Sequence, residues 1–224
     1  QQGEPGVAYS LLLDAARRTG DERLYKRAVD IALESRSGDA ALEAASAWRQ
    51  AMPASREANL RVLQIVLAVN RVADSLGPLR SELNLAPEAE RPSVIANIPR
   101  LYARITDRKL AAYVVEQALA PYQAQSKTAA LAWTVNGQMR LAAKDLDAAY
   151  EAARRGHAMN SNDPAPIWLA LELMNQKHPA AEALVKQAIT PQSPPELRLG
   201  WVRVLIEAQR LPEATEQLQG LTVQ

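Results

Sequence analysis

The chain has 224 residues, of which 48% are hydrophobic and 23% are charged, an ordinary balance for a folded protein with a core. Its 26 basic and 25 acidic side chains give a net charge of +1, and without a strong positive field nucleic acid is disfavoured as a partner. The absence of cysteine excludes disulfides, thiolate catalysis and sulfur-ligated metals. No stretch approaches the roughly 18 to 20 apolar residues that cross a bilayer, so direct membrane insertion is not expected.

A small residue opens a short amphipathic segment at a nearly constant interval along the chain. The series is Ala8, Ala44, Ser75, Ala111, Ala149, Ala181 and Ala214. The mean interval is about 34 residues, which is the period of a solenoid of paired helices.

The apolar periodicity, together with prolines between the segments, predicts repeats of two helices, a first helix A and a second helix B. The chain opens with a B helix over residues 5–18 that has no A helix before it. Six A–B pairs follow, at 21–35 and 39–52, 55–70 and 72–85, 91–105 and 108–120, 127–143 and 146–159, 165–175 and 180–189, and 195–209 and 212–221. Because short links place consecutive helices antiparallel, the pattern predicts an all-α fold.

Three local signals refine these helices. Asp21, after Gly20, is typical of a helix N-cap. Pro99 lies inside the predicted helix 91–105 and is expected to kink it, because proline removes one hydrogen bond of the helix. Gly77 and Pro78 are expected to interrupt the helix 72–85 in the same way.

The fourth pair carries the clearest family pattern. Trp133 and Gly137 lie four residues apart on its A helix, and Ala149 follows on its B helix. With the returning period, these residues resemble the tetratricopeptide repeat family, whose 34-residue helix–turn–helix units carry small residues at fixed positions. The pair also departs from that pattern, because Asn136 and Arg140 stand where the family has a leucine and an aromatic residue.

The resemblance implies a right-handed superhelical solenoid of antiparallel helix pairs, with about six repeats and a leading half-repeat. We expect residues 1–224 to form one solenoid domain, a fragment of a longer protein, because the chain begins with a half-repeat and ends without a polar capping helix. The segments 8–17 and 28–33 also resemble longer proteobacterial proteins of this family. Many of those are exported, which favours the periplasm or cell envelope over the cytoplasm.

The A helices of this family line a concave face, so the resemblance implies that partner-binding side chains lie there. The residues carried over are Arg61, Gln64, Asn97, Arg100, Arg104, Gln138 and Arg203. Four of them, Gln64, Arg100, Gln138 and Arg203, are expected to stack as a polar ladder. Arginine and carboxamide side chains could hold the amides or a carboxylate of an extended peptide, although a solvent-facing surface would be polar in any case.

These features predict a non-enzymatic protein–protein interaction scaffold that binds a peptide or protein partner on the concave face. The alternative is a structural spacer or assembly subunit of a bacterial cell-envelope complex. We expect no catalytic site, cofactor or metal, because the sequence has no glycine-rich phosphate loop, nucleophile–base pair or metal-ligand spacing. The two histidines, His157 and His178, are expected at the surface. The four tryptophans, Trp48, Trp133, Trp168 and Trp201, are expected in the core between helices.

Overall fold

A computed structural model describes residues 5–222, and within that range the chain is helical and contains no β-strand. The described residues form thirteen α-helices: α1 Pro5–Thr19, α2 Glu22–Glu34, α3 Gly38–Ala51, α4 Arg56–Ala68, α5 Leu76–Leu85, α6 Arg91–Leu101, α7 Arg108–Leu119, α8 Ala129–Ala142, α9 Leu146–Met159, α10 Ala165–Asn175, α11 Ala181–Ala188, α12 Pro195–Glu207 and α13 Leu211–Thr222. Short 3-10 helices lie at Val72–Ser75 and Ala120–Tyr122. The prediction of an all-α fold of A–B pairs is confirmed, with every even-numbered helix an A helix. None of the described helices is long and apolar enough to cross a membrane.

The chain forms two compact units that divide between Val114 and Val115. In the N-terminal unit each helix from α1 to α5 packs against the next one along the chain. In the C-terminal unit α10 has the most central position, because it packs against α8, α9, α11 and α12. The expectation of a single solenoid domain over 1–224 stays a prediction.

The turns from A to B helices repeat one geometry. Five of them place a residue other than glycine in the left-handed region, with φ between 55° and 62°, at Arg36, Asn70, Lys144, Lys177 and Gln209. In each of these turns the following residue donates its backbone amide to the carbonyl five residues earlier. An example is the Ser37 amide, which donates to the Ala32 carbonyl at 2.9 Å. Within the described chain the α6–α7 turn has no such residue. The repeat is therefore visible in the backbone as well as in the sequence.

The starts of two A helices, α2 and α4, are capped by the side chain that precedes each helix. The Asp21 carboxylate accepts the amide of Arg23 at 2.9 Å, which confirms the predicted N-cap of α2. Ser55 accepts the amide of Ala58 at the start of α4 in the same way. These caps satisfy amides that the first turn of a helix leaves without partners.

The two helices that contain an internal proline are shorter than the predicted segments 72–85 and 91–105. α6 ends at Leu101, two residues after Pro99, instead of continuing to Ile105. The segment 72–85 divides into the 3-10 turn Val72–Ser75 and α5, so that Pro78 lies in the first turn of α5. A missing N–H costs little there, because the first amides of a helix have no partner within it.

The small residues of the 34-residue series let the helices approach closely. Of the seven, Ala8 is half-buried and the other six are buried. Gly137 shows how tight the packing is, since a Cβ added to it would stand 2.2 Å from Leu169 Cδ2 and 3.2 Å from the Ala149 carbonyl oxygen. A side chain at position 137 would therefore require Leu169 to move, so this glycine marks a close approach of α8 to α9 and α10.

Candidate functional site

The predicted concave-face residues of the N-terminal unit lie on α4 and around α6. Gln64, Asn97, Arg100 and Arg104 are exposed, and Arg61 is half-buried. The Asn97 amide nitrogen donates to the Ser93 carbonyl one turn earlier, at 2.9 Å, so part of its hydrogen-bonding capacity is used within α6. A binding role for these five residues stays a prediction.

Gln138 and Arg203 are the predicted residues of the C-terminal unit. Gln138 is exposed on α8. Arg203 is exposed on α12, where its Nε donates to Glu207 at 2.8 Å. This hydrogen bond raises the pKa of the Arg203 guanidinium, with a smaller electrostatic contribution from Glu172 of α10. The binding role of Arg203 stays a prediction.

Trp168 of α10 covers the backbone of α12. A Cβ added to Gly200 would stand 2.3 Å from Trp168 Cζ3 and 2.6 Å from its Cη2, so the indole rests directly on that glycine. The side chain is nevertheless 43% exposed, and the prediction that Trp168 belongs to the core is wrong. The reason is that α10 is apolar on nearly every side, so sequence periodicity does not tell which side faces outward.

Two further apolar side chains are exposed on α12. Leu199 and Ile206 are 49% and 44% exposed, and their spacing from Arg203 places all three on one side of the helix. We define the α10–α12 surface as Trp168, Glu172, Leu199, Arg203 and Ile206. It combines exposed apolar side chains with one acidic and one basic group, a composition suited to a protein partner.

Sequence reasoning found Arg203 on this surface and missed its apolar members. The one available signal was Gly200, because a glycine inside an apolar helix marks a close approach of another group. It does not say that the approaching group is Trp168, 32 residues earlier, since that pairing depends on how α10 and α12 pack.

The remaining aromatic and histidine predictions have mixed outcomes. Trp48 and Trp201 are buried as predicted, and Trp133 is half-buried. His178 is buried, so the prediction that it lies at the surface is wrong, whereas His157 is half-buried.

His178 follows α10 and reaches back to α9. Its Nε2 lies 3.1 Å from Asp147 Oδ1, and its ring stacks on Tyr150 at 4.8 Å between centroids. These contacts explain its burial. Among the described residues no group of three or more histidine, aspartate or glutamate side chains could hold a metal ion.

No family model matches the chain, and no protein of curated function matches it. Among solved structures it is similar to residues 41–end of MamA from Desulfovibrio magneticus RS-1, with 16% identity over 75% of this chain and 92% of that one and a TM-score of 0.37. A second MamA structure shares 13% identity over 84% of this chain and 94% of that one, with a TM-score of 0.39. PilF of Pseudomonas aeruginosa shares 14% identity over 92% of this chain and 91% of that one, with a TM-score of 0.41. Similarity this low carries no argument about the family or the partners of this chain.

Proposed function

We propose that the chain is a non-enzymatic interaction scaffold that binds a protein or peptide partner on the exposed side of its A helices. The α10–α12 surface is the main contact in this proposal. The observation that carries it is the position of Trp168. Its indole contacts Gly200 of α12, and the side chain remains exposed to solvent. Tryptophan is among the residues that contribute most to binding energy at protein interfaces.

The neighbours of Trp168 support the same function. Leu199 and Ile206 add apolar contact area, while Arg203 and Glu172 offer a charge of each sign to a partner. An amphipathic segment with apolar side chains and a charged residue would complement this arrangement. Within the C-terminal unit, Gln138 on α8 would extend the contact if the partner is long.

The experiment selects ligands from a displayed peptide library with the wild-type chain. The selected peptides are then titrated against Trp168→Ala and Arg203→Glu. The matched control is Met159→Ala, which truncates another exposed apolar side chain of the same unit. We expect Trp168→Ala to weaken binding by about tenfold or more, which corresponds to roughly 1.4 kcal/mol, whereas the control binds normally. Equal binding by all four proteins would contradict the proposal.

The alternative is a spacer or assembly subunit of a bacterial cell-envelope complex. One observation favours it, namely that the B helices α1 and α13 also expose apolar side chains: Val7 and Leu11 on α1, and Leu211 and Leu218 on α13. A spacer held through these helices would lose its partner in a Leu11→Asp variant and keep it in Trp168→Ala. The opposite outcome favours the A-helix proposal.

A further inference from the structure

A groove lies between two B helices of the N-terminal unit, α3 and α5. Its volume is about 630 Å³, and its floor belongs to α4, which packs against both of these helices. One wall contains Leu42, Ser46 and Arg49, whose spacings of four and three residues place them on one side of α3. The opposite wall includes Asp74 and Pro78, at the start of α5. All of these residues belong to one unit.

The groove occurs where the B helices stop packing directly on each other. α1 and α3 are in contact, and the Tyr9 hydroxyl donates to the Ala40 carbonyl at 3.0 Å. α5 begins only at Leu76, because the preceding segment Val72–Ser75 is a 3-10 turn. The irregularity that the sequence shows at Gly77 and Pro78 therefore lies beside the groove, and Pro78 lines it.

The apolar part of the groove is closed below and held in place. Val62 and Val66, one turn apart on α4, form the floor and are 5% and 2% exposed. Leu42 is half-buried, so it leaves apolar surface accessible beside them. The Pro78 carbonyl accepts a hydrogen bond from Asn59 Nδ2 of α4 at 2.9 Å, which fixes the opposite wall. A preformed groove of this size accommodates several side chains without first being reorganised.

Arg49 gives the groove an unpaired positive charge. Its side chain is half-buried, and within the part of the chain that the structure describes it has no hydrogen bond or ion pair. None of its nitrogens is among the unpaired atoms that have no accessible surface, so the guanidinium can be reached from the groove. On the other wall the Nε of Arg71 donates to Asp74 at 2.6 Å, and these two charges cancel. An acidic group would complement the charge that is left.

We propose that this groove binds an amphipathic helix of a protein partner that carries an acidic side chain. Apolar side chains of the partner would lie over Val62 and Val66, and its carboxylate would pair with Arg49. Leu42 and Gln50 are eight residues apart on α3, which is about 12 Å along the helix, so two to three turns of the partner would lie in the groove. The site does not depend on the α10–α12 surface, which belongs to the other unit.

The test selects a displayed library of helical 12-residue peptides with the full chain carrying Trp168→Ala, so that the α10–α12 surface does not determine the selection. The selected peptides are titrated against further variants of this chain by fluorescence anisotropy. Arg49→Glu reverses the unpaired charge, and Ser46→Trp fills the groove from α3. The matched control is Arg18→Glu, which reverses an exposed arginine of α1 in the same unit.

We expect the selection to yield peptides with an acidic residue among apolar ones. Arg49→Glu and Ser46→Trp should bind these peptides about tenfold more weakly or worse, whereas Arg18→Glu binds them normally. Replacement of the acidic residue of the peptide by lysine should restore binding to Arg49→Glu, because the two charges are then exchanged.

Arg49 lies in the last turn of α3, where a positive charge also favours the helix, so Arg49→Gln is the second variant if Arg49→Glu does not fold. Arg49→Gln should no longer distinguish a peptide with glutamate from the same peptide with glutamine. The proposal is overturned if no selected peptide depends on Arg49, or if the selected peptides carry no acidic residue. It is also overturned if the chain forms a dimer in sedimentation that Ser46→Trp dissociates, which would assign the groove to a second copy.

Discussion

The indole of Trp168 lies on Gly200, one A helix further along the chain, with no room for a side chain between them. A methyl group at Gly200 would stand 2.3 Å from the ring, so Gly200→Ala must displace either the ring or the helix. Because the ring is half-exposed, we expect it to swing outward at a cost of about 1 kcal/mol, the low end for overpacking. Acrylamide quenching of tryptophan fluorescence should increase in Gly200→Ala. The increase should be absent when Trp168 is also replaced by phenylalanine, and unchanged quenching in the single variant would show that the contact is not tight.

Truncation of two tryptophans of the chain is expected to lower the stability by very different amounts. Trp48 is completely buried, and its Nε1 donates to Glu22 at 3.1 Å. Trp48→Ala should therefore lower the free energy of unfolding by about 3–5 kcal/mol. Trp168→Ala should lower it by only about 1 kcal/mol, because the ring is already half in water. Urea unfolding followed by circular dichroism measures both, and equal losses would contradict the assignment of Trp168 to the surface.

Acid should weaken the last helices through Glu182. Hydrogen bonds from Arg210 and Lys186 lower its pKa from 4.5 to about 2 in the folded protein. Because the unfolded chain takes up this proton at a higher pH, the stabilising contribution is complete above pH 4.5 and is lost as the pH falls toward 2.

The pairs of Glu182 are partly exposed, so we expect this loss to be about 1 kcal/mol at most. Glu182→Gln should be less stable than the wild type at neutral pH, and its unfolding midpoint in urea should change less between pH 5 and 2.5. Glu151, whose pKa is also lowered to about 2 by Arg154 and Arg155, keeps part of the acid dependence in the variant. Glu196→Gln on α12 is the control, and identical pH profiles for Glu182→Gln and wild type would rule out this role.

Removal of the last hairpin should reduce stability without abolishing the fold. α12 packs against α10 and α13, so a chain that ends at Pro194 loses the contacts of one neighbour. Helix pairs that depend on their nearest neighbours lose stability in steps when terminal pairs are removed. Circular dichroism should show a helical, cooperatively unfolding protein with a lower midpoint. A shortened chain without helical structure would contradict this nearest-neighbour description.

The helices could be predicted from the sequence because their signals are local. Prolines and caps such as Asp21 act within a turn or two, and the apolar period appears in each segment by itself. The end of α6 was predicted less well, because the helix ends at Leu101 and the apolar residues Tyr102 and Ile105 beyond it are buried in the turn that follows.

The candidate sites depend on contacts between helices and were predicted only in part. Trp168 and His178 were misplaced because their surroundings are set by residues about 30 positions away, Gly200 and Asp147. The irregularity at Gly77 and Pro78 was visible in the sequence. The groove beside it was not, since it needs the packing of α4 against α3 and α5.

Photo-cross-linking from the α10–α12 surface tests whether a partner binds where we propose. A benzophenone amino acid at position 199 replaces an exposed leucine of that surface, and the same group at position 159 replaces an exposed methionine of α9. After selection of a binding peptide with the wild-type chain, irradiation should yield a covalent adduct from position 199 and none from position 159. An adduct from position 159 alone, or no adduct from position 199 with a peptide that still binds, would contradict the proposed function.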